Sequence, residues 1–349
     1  RGAMSNTATV LAFDFGASSG RAIRAVYDGQ NLTYEEIHRF ENVPIEKGGH
    51  LFWDVETLLK EIHTAIQKAG TFDSLGFDTW GVDFGLLDTD GHLLANPVHY
   101  RDARTNGKPE QAAACMPAEE LYAHTGNQIM AINTLFQLLA LQEQEPELLQ
   151  KAEQILFMPD LFAALLGAEP VCERSIASTS QMLDPRTGQW SREVLTAYGL
   201  KENHFAPLVA SGTVTGTLTT GAKIIAVAGH DTQCASAAMP CAEEDAEHTA
   251  FLSCGTWSLL GTELDAPILT ADSCQSGLSN ELGANGKINY LKNIIGLWLI
   301  QESRREYKRR GQAYSFAELE QQALAAEPLR SFIDPDAPEF VAPGDLPGR

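Results

Sequence analysis

Val10-Leu11-Ala12-Phe13-Asp14-Phe15 runs into Gly16-Ala17-Ser18-Ser19-Gly20 and leaves through Arg21-Ala22-Ile23-Arg24-Ala25-Val26-Tyr27. The first six residues are apolar apart from one carboxylate, as in a buried strand. The last seven read as a second strand, closed by Asp28-Gly29, and the small residues between them form a turn. Thr33 to Phe40 predicts a third strand, so the chain opens as a β-meander. A helix follows, because Val55, Leu58, Leu59, Ile62, Ala65, Ile66 and Ala69 share one face at 3.6-residue spacing. Asp54 is placed to cap that helix and Gly70 to end it. Leu75-Gly76-Phe77 begins another strand, and Val82 to Leu87 leads to a turn at Asp88-Thr89-Asp90-Gly91. Meander, crossover helix and further strand predict an α/β fold, a mixed sheet with helical cover.

Outward from this stretch, Ala118 to Leu200 is mostly helical by pattern. Thr134 to Leu141 and Leu161 to Leu166 are the clearest helices, the second opened by Pro159-Asp160 and ended by Gly167. Ile224-Ile225-Ala226-Val227-Ala228 predicts a doubly buried strand running into Gly229-His230-Asp231-Thr232 and a short helix. Phe251-Leu252-Ser253-Cys254-Gly255-Thr256-Trp257-Ser258-Leu259-Leu260-Gly261 repeats the opening plan of strand, small-residue turn and strand. Two such hairpins suggest two related domains, each presenting one phosphate-facing turn. The expected division falls near Pro240, before Glu243-Glu244-Asp245. Residues 7–240 then form one domain and 241–349 part of another. Arg1 to Ser5 reads as a cloning remnant around a native Met4.

With 349 residues, the length allows about two domains of ~150 residues. Hydrophobic residues at 44% and charged residues at 20% fit a globular chain rather than a disordered one. Lys and Arg number 25 against 46 Asp and Glu, a net charge of −21. That balance argues against a nucleic-acid backbone or an anionic membrane as partner, since both reward clustered cations. Six scattered cysteines without a C-x-x-C pair read as free thiols of a cytoplasmic protein. No stretch approaches the ~18 apolar residues of a membrane span.

Three places carry chemistry. The glycines of Gly16-Ala17-Ser18-Ser19-Gly20-Arg21 permit close approach, and its amides and hydroxyls suit phosphate oxygens. Arg21 would add a charge-assisted bond, and Asp14 at the strand end would hold a metal ion or its water. The turn also matches G-x-S-x-G, a serine nucleophile elbow, but Arg21 to Tyr27 reads as a strand where that elbow needs a helix. A plain tight turn stays open beside both readings. Asp231 follows a buried strand, where open α/β sheets bind ligands, and is placed to take a hydroxyl proton with His230 orienting it. The competing reading has Asp231 capping a helix and His230 buried as an ordinary core residue. In Asp78-Thr79-Trp80-Gly81-Val82-Asp83-Phe84-Gly85, polar residues and glycines interrupt an apolar run, and Trp80 suits either a sugar face or the core. Asn293 and Gln301, eight apart on an expected helix, would share one face and suit hydroxyl or nucleotide contact.

Together these segments resemble the FGGY carbohydrate kinases. The resemblance rests on Asp14 to Arg21, Gly229-His230-Asp231, Ser253-Cys254-Gly255-Thr256-Trp257-Ser258, Asp78 to Phe84, Tyr100-Arg101-Asp102-Ala103-Arg104-Thr105-Asn106-Gly107, Ala177 to Gln181 and Leu291 to Trp298. It runs from about Val10 to the C-terminus and is strongest to the branch acting on L-rhamnulose. It implies a two-domain actin/hexokinase-like (ribonuclease H-like) ATPase fold. It implies that Ala17, Ser18, Ser19, Gly20, Arg21, Thr256 and Gln301 bind ATP, with Asp14 near Mg²⁺. It implies that Gly81, His230, Asp231, Thr232 and Asn293 contact the ketose and that Asp231 is the general base. ATP and L-rhamnulose are the implied partners, with a monomer expected.

One departure matters. The family's Gly-rich adenosine motif has no counterpart between Gly261 and Arg349, and Pro343-Gly344-Asp345-Leu346-Pro347-Gly348 is only turn-rich. The second domain is therefore expected to be incomplete, with weak or absent kinase activity for the chain as it stands. L-fuculose as substrate, a non-catalytic sugar-binding fragment and a hydrolase using Ser18 are the alternatives.

Overall fold

Strand β1 (Ala8–Phe15) pairs antiparallel with β2 (Ser19–Tyr27), which pairs with β3 (Leu32–Glu41), giving the meander. Helix α1 (Val55–Ala69) crosses over it. Asp54 accepts the Thr57 amide at 3.0 Å, and Gly70 at φ +67° ends the helix. This computed structural model describes residues 7–242, 245, 248–341 and 344–349. The expectations for Arg1 to Ser5, for Glu243-Glu244 and for Pro343 lie outside those residues.

Strand β4 (Ser74–Thr79) enters parallel to β1, setting Asp78 opposite Asp14 and Thr79 opposite Phe15. Helix α2 (Thr134–Gln144) packs among neighbouring helices, and α3 (Met158–Leu165) packs on the sheet at β4. Strands β5 (Thr213–Thr217) and β6 (Lys223–Ala226) complete the order β5-β6-β4-β1-β2-β3. Phe13 stacks on Phe77 and Phe15 on Phe162, each at 4.8 Å between ring centroids, which seats α3 on the strands. The apolar sides of β1 and β4 thus bury one face and leave the strand ends free for chemistry.

Helix α4 (Asp231–Ala237) begins where the first sheet ends. A second sheet comes next: β7 (Phe251–Cys254), β8 (Trp257–Leu264), β9 (Ser279–Leu282) and β10 (Ile288–Ile295), in the antiparallel order β7-β8-β10-β9. Helix α5 (Trp298–Arg309) follows β10. Among the described residues, no helix is long and apolar enough to cross a membrane.

The structure corrects three local expectations. Asn293 does not share a helix with Gln301: it lies on β10 opposite Leu259, and Gln301 lies on α5. The apolar run through Ile295 reads equally as strand or helix, and pairing with β8 decides it. The strand expected from Val82 begins at Phe84, because Val82 takes φ +68°. The middle stretch also contributes strand: Gln154–Phe157 pairs antiparallel with Phe84–Leu87.

Candidate active site

The turns of the two hairpins open onto one cavity of about 430 Å³, walled by both sheets. Gly16 donates its amide to the Ser19 carbonyl at 2.8 Å, and Asn42 holds the turn through the carbonyls of Gly16 and Ser18. A Cβ on Gly16 would sit 3.2 Å from the Ser19 carbonyl, so glycine keeps the turn tight. Ser18 is exposed and is followed by β2, not by the helix that a nucleophile elbow requires. Ala17, Ser18, Ser19 and Arg21 line the cavity. Gly20 does not: it faces β3, where a Cβ would lie 2.3 Å from the Phe40 ring. Asp14 and Arg21 stand opposite each other across β1 and β2 and pair at 2.9 Å, with side chains 34% and 43% exposed. An exposed pair of this kind contributes little stability, which leaves both charges available to a ligand.

The residues after β6 enter the cavity floor. Thr79 donates its amide to the Gly229 carbonyl at 2.9 Å, and Gly229 donates its own to the carboxylate of Glu173 at 3.0 Å. These bonds tie the turn to β4 and fix where His230 and Asp231 emerge. Asp231 accepts the Thr232 amide at 2.6 Å, so it binds its own helix start while still lining the cavity. Burial pushes the Asp231 carboxyl up, and neighbouring His230, 3.4 Å away, pulls it down. His230 and Thr232 also line the cavity. So does Gly81, where a Cβ would press against Thr179 and the His230 ring.

Trp80 packs in the core against Trp53, 4.0 Å between centroids, and also borders the cavity. Its indole donates to Asp83 at 3.0 Å, as does that of Trp53 at 2.6 Å. Val82 is pinned in its positive-φ conformation by Thr179 on its amide and Thr134 on its carbonyl. Such strain persists only where surrounding bonds hold it, and here it turns Gly81 toward the cavity.

From the second sheet, Thr256 donates to Gln301 Oε1 at 3.3 Å, and Asn293 donates to Gln128 at 3.3 Å. All four line the cavity. The structure thus gathers every expected site residue around one space except Gly20. It also adds Tyr100, Asn127, Gln128, Thr179 and Glu281 to the walls. Tyr100 and Thr179 lie in segments that carry the resemblance, whereas no sequence signal singled out Asn127, Gln128 or Glu281.

A further carboxyl, Asp78, sits beside Asp14. Burial pushes its pKa well up, and the charges of Asp14 and Asp231 add to the effect. The parallel register that sets Asp78 opposite Asp14 brings these acids together. Hard oxygen donors of this kind, next to a phosphate-sized turn, fit a magnesium ion that keeps most of its waters.

Comparison with known proteins agrees with this geometry. The N-terminal domain of the FGGY family of carbohydrate kinases matches residues 9–237, and its C-terminal domain matches residues 250–349. A rhamnulokinase of Bacteroides thetaiotaomicron is 41% identical over 96% of this chain and 70% of its own length. One from Enterococcus faecalis is 39% identical over 97% of this chain and 69% of its own length. Among solved structures, a ligand-bound xylulose kinase from Lactobacillus acidophilus superposes with a TM-score of 0.75 at 16% identity, over 91% of this chain and 66% of that one. Plasmodium falciparum glycerol kinase with ADP gives 0.64 at 15% identity, over 84% of this chain and 63% of that one. The chain thus spans about 70% of the length of those rhamnulokinases and about two thirds or less of those structures.

Proposed function

The chain belongs to the FGGY family of carbohydrate kinases, and on that premise we propose that it phosphorylates L-rhamnulose with ATP. The products are L-rhamnulose 1-phosphate and ADP. One observation carries the reading: two phosphate-sized turns, one from each sheet, face a single cavity whose floor holds Asp231. The rhamnulokinase relatives favour L-rhamnulose over L-fuculose, and over a fragment that only binds sugar.

The ketose lies against Gly81, His230, Thr232 and Asn293, with its reacting hydroxyl toward Asp231. Asp231 accepts the hydroxyl proton as that oxygen bonds to the γ-phosphorus and the bond from phosphorus to the bridging oxygen breaks. Amides and hydroxyls of Ala17 to Ser19, with Arg21 and Thr256, hold the phosphates in line, and Gln301 faces the nucleotide. A magnesium ion held through Asp14 neutralises phosphate charge when bound. The first domain, ending near Pro240, supplies the base and one turn; the second supplies the facing turn. The reading includes a monomer acting in the cytoplasm, where ATP is available.

Asp231→Asn, made in the full-length protein, tests the assignment. With L-rhamnulose and Mg-ATP, turnover should fall by about 10²–10⁴-fold, the range that general-base catalysis supplies. Turnover near that of the unaltered protein removes Asp231 from the role, and a kcat/KM greater for L-fuculose removes L-rhamnulose.

A further inference from the structure

Asp231 begins α4, yet much of what grips the start of that helix comes from the other sheet. Glu281 on β9 accepts a hydrogen bond from His230 Nδ1 at 2.9 Å and another from Gln233 at 2.7 Å. His230 Nε2 lies 3.4 Å from the Asp231 carboxylate. Asn289 stands opposite Glu281 in the β9–β10 ladder and donates to Gln233 and, at 2.9 Å, to Ser236. Glu281, Asn289, Gln233 and His230 are all buried. Strand β9 is itself bonded to the first domain: the Leu282 amide donates to Ser178 at 2.9 Å and the Asn280 amide to the Gly126 carbonyl at 2.8 Å.

We propose that Glu281 is a positioning residue for phosphoryl transfer: reaching from the second domain, it grips His230 and thereby orients the Asp231 carboxylate. The proposal rests on the reading of Asp231 as the base and deepens it. The first domain carries the base, and the second sets it, so the base is in place only while β9 is docked.

Charge supports the geometry. Burial alone would depress the His230 pKa, but Glu281, then Asp231 and Glu173, hold it up at about 9. A ring with a proton on each nitrogen donates to Glu281 on one side and faces Asp231 on the other. That cation offsets the burial of Asp231 and the charge of Asp14, which both favour a protonated, inert Asp231. Asp78 also faces Asp231 and acts in the same direction as Asp14.

Two measurements decide the matter. The first is an NMR titration of the imidazole nitrogens, with His230 assigned by the signal missing in His230→Asn. The His230 ring should stay doubly protonated through pH 8 and titrate near 9. In Glu281→Gln, which keeps the shape and one acceptor, the midpoint should fall by two units or more. The second is turnover of the full-length protein with L-rhamnulose and Mg-ATP. Glu281→Gln should lower kcat by about 10–100-fold, the usual effect of an outer partner that orients a functional group. The loss should appear above the lowered His230 midpoint and shrink below it, where the ring regains its proton, a change that mere loosening of the fold does not produce. A His230 midpoint at or below its ordinary 6.5 in the unaltered protein overturns the proposal. So does a Glu281→Gln variant with unchanged midpoint and unchanged kcat. If Asp231→Asn retains turnover while His230 titrates near 9, the failure lies in the assignment of Asp231 as base, and the grip on His230 stands.

Discussion

Asp83→Asn probes the aromatic wall of the cavity, and its effect should change sign with pH. Asp83 is fully buried and accepts four hydrogen bonds. Oδ2 takes the indoles of Trp53 and Trp80 at 2.6 and 3.0 Å and the Tyr100 amide at 3.1 Å, while Oδ1 takes the Gln137 amide at 2.8 Å. Asparagine can keep the first three by placing its oxygen there. Its own NH₂ then meets that of Gln137. Gln137 resists inversion, because its oxygen accepts from buried Arg104 at 3.0 Å and its nitrogen also donates to the Ile132 carbonyl. One mismatched buried pair costs about 1–3 kcal/mol.

The native carboxylate carries a cost of its own. Burial, only partly offset by these donors, raises its pKa from 3.8 to about 6. Two units at 1.4 kcal/mol each make the ionised form about 3 kcal/mol less favourable in the fold than in the unfolded chain. Below pH 4 both states hold the proton and no cost exists. Between pH 4 and 6 the unfolded chain releases it while the fold retains it, so native stability falls as pH rises. Above pH 6 the loss is complete and constant. Asparagine does not titrate there. Urea unfolding followed by tryptophan fluorescence should find the variant about 1–3 kcal/mol weaker at pH 4. The difference should then shift in its favour by about 3 kcal/mol by pH 7, leaving it equal or more stable. A difference that does not change with pH, or that moves the other way, refutes this account of Asp83.

Two further changes test the framework around the site. Gly20→Ala places a methyl 2.3 Å from the Phe40 ring and should cost about 1–3 kcal/mol in chemical denaturation; a neutral result would mean that β3 yields freely. Arg101 lies over Trp298 at 4.4 Å and Trp257 at 5.5 Å, a contact between the domains. Arg101→Ala should lower stability by about 0.5–2 kcal/mol and increase cleavage by protease near Pro240, measured by limited proteolysis, with cleavage unchanged if the stack is incidental.

Much of the fold was legible because it rests on local grammar. The Asp14 to Arg21 turn announced a hairpin through its glycines and flanking apolar runs, and α1 through its periodicity and its caps at Asp54 and Gly70. Asn293 lies on a strand and not the expected helix because the mostly apolar run Leu291 to Trp298 has no period that separates the two, and only the ladder with β8 makes it a strand. Val82 escaped detection because a β-branched residue at positive φ violates the local preference and is held by Thr134 and Thr179 from elsewhere in the chain.

By itself the sequence determined the α/β class, the two hairpin turns, the buried strand before Asp231 and the resemblance that joined them. These features depend on neighbours within a few residues, where backbone and side-chain preferences act directly. Tertiary structure alone decided which groups meet: Asp78 beside Asp14 through parallel register, Asp83 beneath two indoles, and Glu281 from the second sheet on His230. The first sets two acids side by side, while the other two give a buried carboxylate a donor far along the chain, Trp53 for Asp83 and His230 for Glu281. Burial makes an unpartnered charge costly, and no local pattern records which distant residue comes to relieve it.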